Sequence, residues 1–258
     1  MTAPSSPAWT QAELADPHAN QAKQEKVGRM FSAIAHRYDL NNRLHSMWRD
    51  QAWRRHAVRQ AQVKPTDTVL DVACGTGDLT EAMAAAGAKE VIGLDYTPAM
   101  LDVALARLAT KKSNRKEWGG RIRYMQGDAQ ALPFEDASVD VVSIAFGIRN
   151  VGDPARAIGE FRRVLRPGGR LVILEFGTPT LAPVRWFNDI YCKRIMPVTA
   201  TLISGDRSGA YKYLPKSVEK FMSTAEMTAT LEHAGFAGVS ARPLTMGICW
   251  CYTGRVAE

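Results

Sequence analysis

The sequence predicts an α/β protein whose core is a mostly parallel, seven-stranded sheet with helices on both faces. Short apolar runs alternate with helical segments between about residues 68 and 176, and this alternation is typical of parallel sheets. A glycine-containing turn follows the first run, as in folds that bind nucleotides. The last two runs, 239–244 and 247–256, have no helix between them, which predicts an antiparallel C-terminal strand at the edge of the sheet.

The individual strands and helices follow from apolar density and from local start and stop signals. Five parallel strands are predicted over 68–72, 91–94, 121–125, 139–145 and 170–176. Helices are predicted from Pro98, because proline suits the first helical position, and over 78–86, 154–165 and 224–234. The turn-forming run RPGG at 166–169 ends the third of these helices.

A single domain is expected, because two domains of half this length would each have a small core. Residues 1–24 lack periodicity and are predicted to be a flexible tail, which leaves 25–258 as the domain. Prolines and aromatic residues interrupt the alternation over 178–216, which indicates a helical cap inserted after the fifth strand. Residues 25–60 are predicted to cover the sheet as helices, since apolar residues recur there at helical spacing: Val27, Met30, Phe31, Ile34 and Tyr38.

The composition is that of an ordinary globular protein and argues against several classes. Apolar residues make up 46% and charged residues 23% of the chain. The first fifteen residues lack the basic start and apolar core of a secretory signal, and no stretch approaches the roughly 18 apolar residues that span a bilayer. A cytoplasmic location with free cysteine thiols is therefore expected. No metal is expected, since His36, His45 and His56 lack partners at metal-ligand spacing.

The net charge of +7 is concentrated in two segments. Between Arg29 and Arg59, seven arginines stand against two acidic residues, and between Arg107 and Arg123, seven basic residues stand against one. Such local excess favours an anionic partner, either a nucleic acid or an acidic lipid surface. Solvated helix faces and a basic loop would give the same pattern without any partner.

The most informative motif is VLDVACGTGDL at 69–79, which places a glycine turn directly after the first strand. Ligands of open parallel sheets bind beyond the carboxyl ends of the strands, so Gly75, Thr76 and Gly77 would form the loop that approaches a nucleotide cofactor. Proteins that bind dinucleotides share this turn, but Thr80 stands where their GxGxxG pattern needs a third glycine. Asp71, inside the strand, is placed to orient the loop and to meet a cationic cofactor tail.

Two further acidic positions complete the predicted cofactor site. Asp95 ends the second strand, where a carboxylate can accept hydrogen bonds from both ribose hydroxyls. After the third strand, Asp128 would bind an adenine amino group and Ala129 would offer a backbone amide. The set favours S-adenosylmethionine, with S-adenosylhomocysteine as the product, over NAD. The alternatives are that Asp71 caps a helix and that the segment 127–129 is an ordinary turn.

Six blocks extend this pattern along the chain: MFSAIAHRYDLNN at 30–42, VLDVACGTGDLT, GDAQALPF, AFGIRNVGDPARAIGEFRRVLRPGGRLVILEF, YKYLPKSVEKF at 211–221, and the ending LTMGICWCYTG. From about Lys26 onward they resemble the menaquinone/ubiquinone C-methyltransferase family, which has the Rossmann-like fold of class I S-adenosylmethionine-dependent methyltransferases. FGIRN and YKYLPKS are the specific blocks. The chain departs from the family at Asn41, where Met is usual, and at Ala145, where a serine usually contacts the cofactor.

The resemblance implies transfer of a methyl group to a ring carbon of a polyprenylated quinol, demethylmenaquinol, to give menaquinol. A benzoquinol of ubiquinone biosynthesis is the alternative ring. Methyltransferases that act on planar amines often carry an Asn/Asp-Pro-Pro-aromatic turn after the fourth strand. FGIRN stands at that place here, which argues against an amine target.

Arg149 and Asn150 are implied as the catalytic residues. Because an arginine stays protonated, Arg149 would stabilise the developing phenolate, with a water taking the proton, and Asn150 would orient that water or the second quinol oxygen. A structural ion pair of Arg149 with an acid such as Asp153 is the alternative. Five residues are predicted to close the substrate pocket, although ordinary packing would suit the aromatic ones equally: Tyr38, Asp39, Phe146, Tyr211 and Tyr213.

The expected partners are the quinol substrate and an anionic membrane surface, on whose inner face the protein would sit peripherally. Nucleic acid is not expected, because no RNA-binding module accompanies the basic segments. A homodimer is left open. Two other functions compete: methylation of an RNA or small metabolite, and a non-catalytic quinone-binding or assembly subunit that keeps the fold. The intact glycine loop with Asp71 and Asp95 argues against the latter.

Overall fold

The computed structural model describes residues 8–110, 118–205 and 208–258. These residues contain one sheet with the strands β1 Thr68–Val72, β2 Glu90–Asp95, β3 Ile122–Gln126, β4 Val139–Ala145, β5 Leu165–Phe176, β6 Ala237–Leu244 and β7 Cys249–Arg255. The order is β3-β2-β1-β4-β5-β7-β6. The first five strands are parallel, and β7 is antiparallel to both β5 and β6. The predicted mostly parallel sheet with an antiparallel C-terminal strand is confirmed.

The helices of the described residues are α1 Lys23–His45, α2 Arg49–Ala61, α3 Asp78–Ala85, α4 Pro98–Ala109, α5 Pro154–Val164, α6 Ala182–Ile190, α7 Met196–Ser204, α8 Ala210–Glu219 and α9 Thr224–His233. A π-helical segment, Tyr191–Ile195, joins α6 to α7. Local signals explain several starts. Proline stands at the first position of α4 and α5, and the Asp153 side chain accepts a hydrogen bond from the Arg156 backbone N–H at the start of α5.

The centre of the sheet is apolar on both faces. Leu70 and Val142 are fully buried on the face covered by α5 and α9, whereas Val69 and Val141 are fully buried on the face covered by α2 and α3. Burial on both faces explains why β1 and β4 read as apolar runs rather than as alternating sequences. These two strands therefore form a rigid base for the loops at their carboxyl ends.

Strand β5 begins five residues earlier than the sequence predicts. Leu165 is buried and pairs with Val139, whereas Val141 already pairs with Arg170, so the extra residues between them form a bulge. Gly168, with φ of +72°, permits this turn. The RPGG run therefore lies inside β5 rather than before it. The strand begins at Leu165 because this apolar side chain is already buried against the sheet.

The N-terminal residues differ from the prediction of a flexible tail over 1–24, of which 1–7 lie outside the described residues. Trp9 is 4% exposed and stacks on Tyr213, with ring centroids 4.8 Å apart. Leu14 is also buried, and Lys26 forms an ion pair with Glu13 at 2.8 Å. Two isolated apolar residues in a polar segment produce no periodicity, which is why this packing could not be predicted from the sequence.

Two helical layers cover the carboxyl ends of the strands. Helix α1 lies against α4, α7 and α8, and α2 lies against β5 and α3. Helices α6 to α8 occupy most of the segment that the sequence predicts as a cap. Together with α1 they enclose a third apolar cluster, which includes Met30, Ile34, Met196 and Tyr211. No helix among residues 8–110, 118–205 and 208–258 is long and apolar enough to cross a membrane.

Candidate active site at the switch point of the sheet

The strand order reverses between β1 and β4, which opens a crevice beyond their carboxyl ends. A cavity lies there between the sheet and α1. It is lined by loop and strand-end residues that include Gly75, Asp95, Asp128, Ala129 and Asn150, and by Tyr38 and Phe146 on its other side. We call this the cofactor cavity. The structure thus brings together residues that the sequence places 112 positions apart, from Tyr38 to Asn150.

The glycine loop has a backbone that is strained for residues with a side chain. Gly75 and Gly77 have φ of +58° and +88°, and a Cβ on Gly77 would collide with the Tyr124 hydroxyl. Gly77 stands at the N-terminus of α3, so the loop turns sharply from β1 into that helix. The Gly75 N–H donates a 2.8 Å hydrogen bond to the Asp95 carboxylate, which ties the loop to the end of β2.

Asp95 is a buried carboxylate that borders the cofactor cavity. It is 8% exposed and also accepts a 2.8 Å hydrogen bond from the Thr97 backbone N–H. Burial raises the pKa of Asp95, and the N–H donors of Thr97 and Gly75 oppose this shift. A carboxylate has about four acceptor sites, so two protein donors leave room for ribose hydroxyls. The predicted ribose contact therefore fits the position of this side chain.

Asp71 lies behind the loop rather than in the cavity. Its two oxygens accept hydrogen bonds from the Thr80 hydroxyl at 2.6 Å and the Ser143 hydroxyl at 2.7 Å. It thereby links β1 to α3 and to β4, and burial raises its pKa to about 6. These contacts fix the strand before the loop and the helix after it, and the role of Asp71 in orienting the loop stays a prediction. They do not place its carboxylate against a ligand, because both oxygens face the protein interior.

Asp128 sits at the opposite end of the cofactor cavity. Its carboxylate accepts hydrogen bonds from the Gln24 side chain at 2.7 Å and from the Gln130 backbone N–H at 2.9 Å. Burial acts to raise the pKa of Asp128, but these hydrogen bonds outweigh it and the pKa is lowered. Ala129 is buried beside it. Gln24 belongs to the segment predicted to be a tail, so its contact with Asp128 was not predicted.

An ion-pair network joins the glycine loop to α1. The Thr76 hydroxyl donates to Asp39 at 2.5 Å, and Arg107 donates to both Asp39, at 2.9 Å, and the Thr76 carbonyl, at 3.0 Å. The same guanidinium reaches Asp78 at 2.7 Å, which Arg43 also contacts. Asp39 and Thr76 therefore hold the loop in place from outside the cavity. The prediction that Asp39 lines the substrate pocket is not what the structure shows, because its carboxylate faces Thr76 and Arg107.

Arg149 forms a buried ion pair with Glu175 at the end of β5. One guanidinium nitrogen, Nη1, donates to Glu175 at 2.6 Å and to the Phe146 carbonyl at 2.7 Å, and both partners are at most 4% exposed. The acidic partner is thus Glu175 rather than Asp153, which caps α5 instead. A single acid inside the apolar run RLVILEF was the available signal for this pair.

Asn150 is fixed by the cap and by the turn after β4. Its side-chain oxygen accepts a 3.0 Å hydrogen bond from the Tyr213 hydroxyl, and its amide nitrogen donates to the Phe146 carbonyl at 3.2 Å. Burial raises the pKa of Tyr213 to about 12, so this phenol stays protonated and can donate. Phe146 has φ of +59° and lies against Phe176 with centroids 4.6 Å apart. The FGIRN turn is therefore held by contacts on every side.

A second cavity, of about 800 Å³, adjoins the cofactor cavity. We call it the large cavity. Tyr38 and Phe146 line both cavities, and Tyr211, Tyr213 and Arg149 line the large one. Most of its exposed wall is apolar, and charged side chains such as Arg54, Arg149 and Asp189 also line it, which suits an apolar molecule that carries polar groups. Buried polar residues that the sequence analysis missed also line it: Asp50 and Arg54, which form an ion pair at 3.2 Å.

The donors and acceptors around the cofactor cavity fit S-adenosylmethionine. Asp95 would accept from the ribose hydroxyls, Asp128 from the adenine amino group, and the loop at Gly75 allows close approach of the backbone. The third glycine of a dinucleotide-binding loop is absent. Thr80 stands at that position, and its hydroxyl donates a hydrogen bond to Asp71. The fold and this site together define a class I S-adenosylmethionine-dependent methyltransferase.

Comparison with known proteins agrees with that class. The model of the ubiE/COQ5 methyltransferase family matches residues 19–255. The chain is 44% identical over 227 residues to a demethylmenaquinone methyltransferase of Thermus thermophilus, covering 87% of this chain and 99% of that protein. It is 39% identical over 235 residues to a ubiquinone/menaquinone biosynthesis C-methyltransferase UbiE of Geotalea daltonii, covering 90% and 97%. The chain belongs to the ubiE/COQ5 methyltransferase family, which confirms the resemblance.

Solved structures support the fold. A methyltransferase of Aquifex aeolicus that depends on S-adenosylmethionine superposes with a TM-score of 0.51 at 18% identity, covering 76% of this chain and 84% of that one. Phosphoethanolamine N-methyltransferase 2 of Haemonchus contortus, in complex with S-adenosylmethionine, gives 0.56 at 17% identity, covering 78% and 51%. At this sequence identity, the similarity establishes the shared fold and says nothing about the substrate.

Removing the Asp95 carboxylate should weaken cofactor binding. We expect Asp95→Ala to raise the Kd for S-adenosylmethionine at least about tenfold, because hydrogen bonds to a charged acceptor contribute roughly 1.5 to 3 kcal/mol each. Isothermal titration gives the Kd, and circular dichroism checks the fold. Asp102→Asn, at an exposed position on α4, is the control and should bind normally. A folded Asp95→Ala protein with unchanged affinity would remove Asp95 from the site.

Asp71 should make the stability of the protein depend on pH. Its folded pKa, about 6, lies above the ordinary value of 3.8, so its contribution is fully present below about pH 4 and is lost as the pH rises through 6. Asp71→Asn keeps the shape and removes this titration. The difference in unfolding free energy, wild type minus variant, should therefore fall between pH 4 and pH 7 in urea titrations. Parallel curves for the two proteins would show that Asp71 is not perturbed.

Proposed function

We propose that the protein transfers a methyl group from S-adenosylmethionine to a ring carbon of demethylmenaquinol, giving menaquinol. The observation that carries this proposal is the large, mainly apolar cavity that adjoins the cofactor cavity at Phe146. A volume of about 800 Å³ suits a quinol ring with the first part of a prenyl tail. The names of relatives such as the Thermus thermophilus protein support the same substrate class.

The chemistry needs an electron-rich ring carbon held in line with the methyl donor. S-adenosylmethionine, when bound, supplies a methyl group on a positively charged sulfur. The carbon beside a quinol hydroxyl becomes nucleophilic as that hydroxyl loses its proton. The protein's tasks are therefore to orient the ring, to stabilise the developing phenolate and to exclude water from the reacting atoms.

Arg149 is proposed to stabilise the phenolate. Its Nη1 is occupied by Glu175 and the Phe146 carbonyl, and its Nε donates to the Ser217 hydroxyl at 3.4 Å. The structure gives Nη2 no hydrogen bond to any described residue, and the side chain lines the large cavity. Nη2 is thus the donor left for a quinol oxygen or for a water that takes the proton. Because Glu175 fixes the guanidinium beforehand, the charge needs no reorganisation during the reaction.

Asn150 is proposed to orient that water or the second quinol oxygen. Its amide has two protons, and the Phe146 carbonyl accepts only one of them. Tyr213 fixes which end of the amide faces the cap, since its hydroxyl donates to the amide oxygen. The Tyr38 phenol, whose pKa burial raises, lies at the junction of the two cavities and would pack on the ring.

The protein is further proposed to work in the cytoplasm, peripherally on the inner face of an anionic membrane, where the polyprenyl substrate resides. Exposed arginines of the first basic segment for which the structure gives no ion pair with a described residue support this: Arg37, Arg49, Arg55 and Arg59. Arg43, Arg54 and Arg107 contribute less, since they pair with acidic residues. Much of the second basic segment, 111–117, lies outside the described residues. A role for nucleic acid or a metal is not part of the proposal.

Analysis of cellular quinones tests the substrate directly. Cells lacking this protein should accumulate demethylmenaquinone, measured by mass spectrometry, and the gene supplied on a plasmid should restore menaquinone. Accumulation of an unmethylated polyprenyl benzoquinone instead would move the reaction to ubiquinone biosynthesis. Unchanged quinones would favour an RNA or small metabolite as the methyl acceptor.

The Arg149 role needs a variant that does not leave Glu175 as a lone buried charge, since breaking such a pair typically costs about 3 to 5 kcal/mol. We expect Arg149→Met combined with Glu175→Gln to lower kcat by roughly 10² to 10³-fold, as loss of one preorganised donor does. The Kd for S-adenosylmethionine should change little. The measurements are single-turnover methylation of a short-chain demethylmenaquinol under reducing conditions and a separate cofactor titration.

Glu175→Gln alone is the matched control and should retain more activity, because Arg149 stays in place and the glutamine amide oxygen can still accept from its Nη1. Circular dichroism checks that this variant folds although Arg149 has lost its counter-charge. Arg149→Lys should recover only part of the rate, since an ammonium group cannot reproduce the planar fork. Near-normal turnover in the double variant would remove Arg149 from the reaction. An equal collapse of cofactor affinity would show instead that the residue is structural.

A further inference from the structure

We propose that five exposed apolar side chains at the mouth of the large cavity insert into the interface of a lipid bilayer, so that a prenyl tail passes from lipid into the cavity without crossing water. These residues, the apolar rim, are Met47, Trp48, Trp186, Phe187 and Met246. The inference rests on the proposed function for the nature of the substrate. It goes beyond electrostatic attraction, because it assigns the contact to insertion by particular side chains.

The apolar rim comes from three separate parts of the chain. Met47 and Trp48 form the turn between α1 and α2, Trp186 and Phe187 lie on α6, and Met246 lies in the turn between β6 and β7. Their exposures are 76%, 57%, 68%, 65% and 54%. Met47, Phe187 and Met246 also line the large cavity. Residues that are both more than half exposed and part of the cavity wall mark its opening.

The backbone at three of these positions, in two turns, is unfavourable for ordinary side chains. Met47 and Trp48 have φ of +51° and +58°, and Met246 has φ of +56°. Non-glycine residues rarely adopt this left-handed region, and strain of this kind is concentrated at functional sites. Here both turns direct large apolar side chains toward solvent.

The neighbouring helices extend the exposed apolar surface. None of the residues of α6 is buried. Helix α7 is apolar on two faces: Met196 and Ala200 are buried against α1, whereas Val198 and Leu202 are 59% and 78% exposed. A helix that is apolar all round is expected in a protein core or in lipid rather than at a water-exposed surface. A group of exposed apolar side chains, here the apolar rim together with Val198 and Leu202, marks an interaction site.

Charge and shape favour a bilayer as the occupant. Exposed basic residues accompany the rim on the same or adjoining segments: Arg49, Arg185 and Arg194. Lys193 contributes less, since it forms ion pairs with Asp189 at 3.6 Å and Glu219 at 3.9 Å. Basic side chains beside tryptophans suit the phosphate and glycerol region of a membrane, where an apolar face can enter a few ångströms. A second copy of the chain fits less well, because a symmetric dimer on this face would oppose like charges and close the opening.

Vesicle binding tests the proposal with Trp48→Gln combined with Trp186→Gln, two rim residues that do not line either cavity. We expect the wild type to co-sediment with vesicles of phosphatidylcholine and phosphatidylglycerol, and part of this binding to persist at high salt. The double variant should bind at least about tenfold more weakly, since two large apolar side chains no longer enter the lipid. Leu105→Gln, at a 49% exposed leucine on α4, is the matched control and should bind as the wild type.

Fluorescence separates insertion from surface attraction. Lipids brominated near the headgroup should quench part of the wild-type tryptophan emission, and this quenching should be lost in the double variant. Wild-type binding by that variant, absence of quenching, or complete loss of wild-type binding at high salt would overturn the proposal. So would a dimer, measured by sedimentation velocity, that the double variant abolishes while vesicles are not bound.

A tail-less demethylmenaquinol separates this inference from the proposed function. Both the wild type and the double variant should methylate this soluble substrate at the same rate, because no membrane is needed to deliver it. If the wild type leaves it unmethylated, the proposed function fails whatever the vesicles show. If both methylate it and both bind vesicles equally, only the apolar rim is rejected.

Discussion

The buried ion pair between Arg149 and Glu175 is the constraint on which the arrangement of the site depends. It joins the turn after β4 to the end of β5, and Arg149 also reaches Ser217 in the cap. Separating these charges would leave one of them unpaired in a dry environment, so the turn, the strand and the cap keep their relative positions. The same pair fixes the carbonyl of Phe146, which borders both cavities. The stability of the fold and the proposed stabilisation of the phenolate therefore both depend on the ion pair between Arg149 and Glu175.

A second group of charges relates the two halves of the site. Asp39 lies on α1, which covers the large cavity, while Thr76 and Arg107 hold the glycine loop. A shift of α1 would change the hydrogen bonds of the loop that faces the cofactor. Helix α1 and the glycine loop are therefore joined directly by short, partly buried hydrogen bonds.

The sheet was predictable because its signals are local. Apolar runs, prolines at helix starts and the glycine turn each identify an element without reference to the rest of the chain, and Asp95 and Asp128 follow from their place after strands. Contacts over long separations were not predictable. The packing of Trp9 on Tyr213, the pairing of Arg149 with Glu175 and the contact of Gln24 with Asp128 depend on which elements become neighbours, and no local pattern encodes that choice. Asp39 was predicted to line the substrate pocket, but it contacts Thr76 and Arg107, which are far from it in the chain.

The contact between Gln24 and Asp128 bears on how the protein distinguishes one nucleoside from another. Asp128 already accepts hydrogen bonds in the free protein, so an arriving adenine exchanges one donor for another and gains little net energy. A base that presents a carbonyl at that place would instead set oxygen against a carboxylate and lose the contact outright. If Asp128 takes the adenine amino group, as the sequence predicts, this end of the cavity would select adenine by rejecting other bases, while the affinity would come from other contacts.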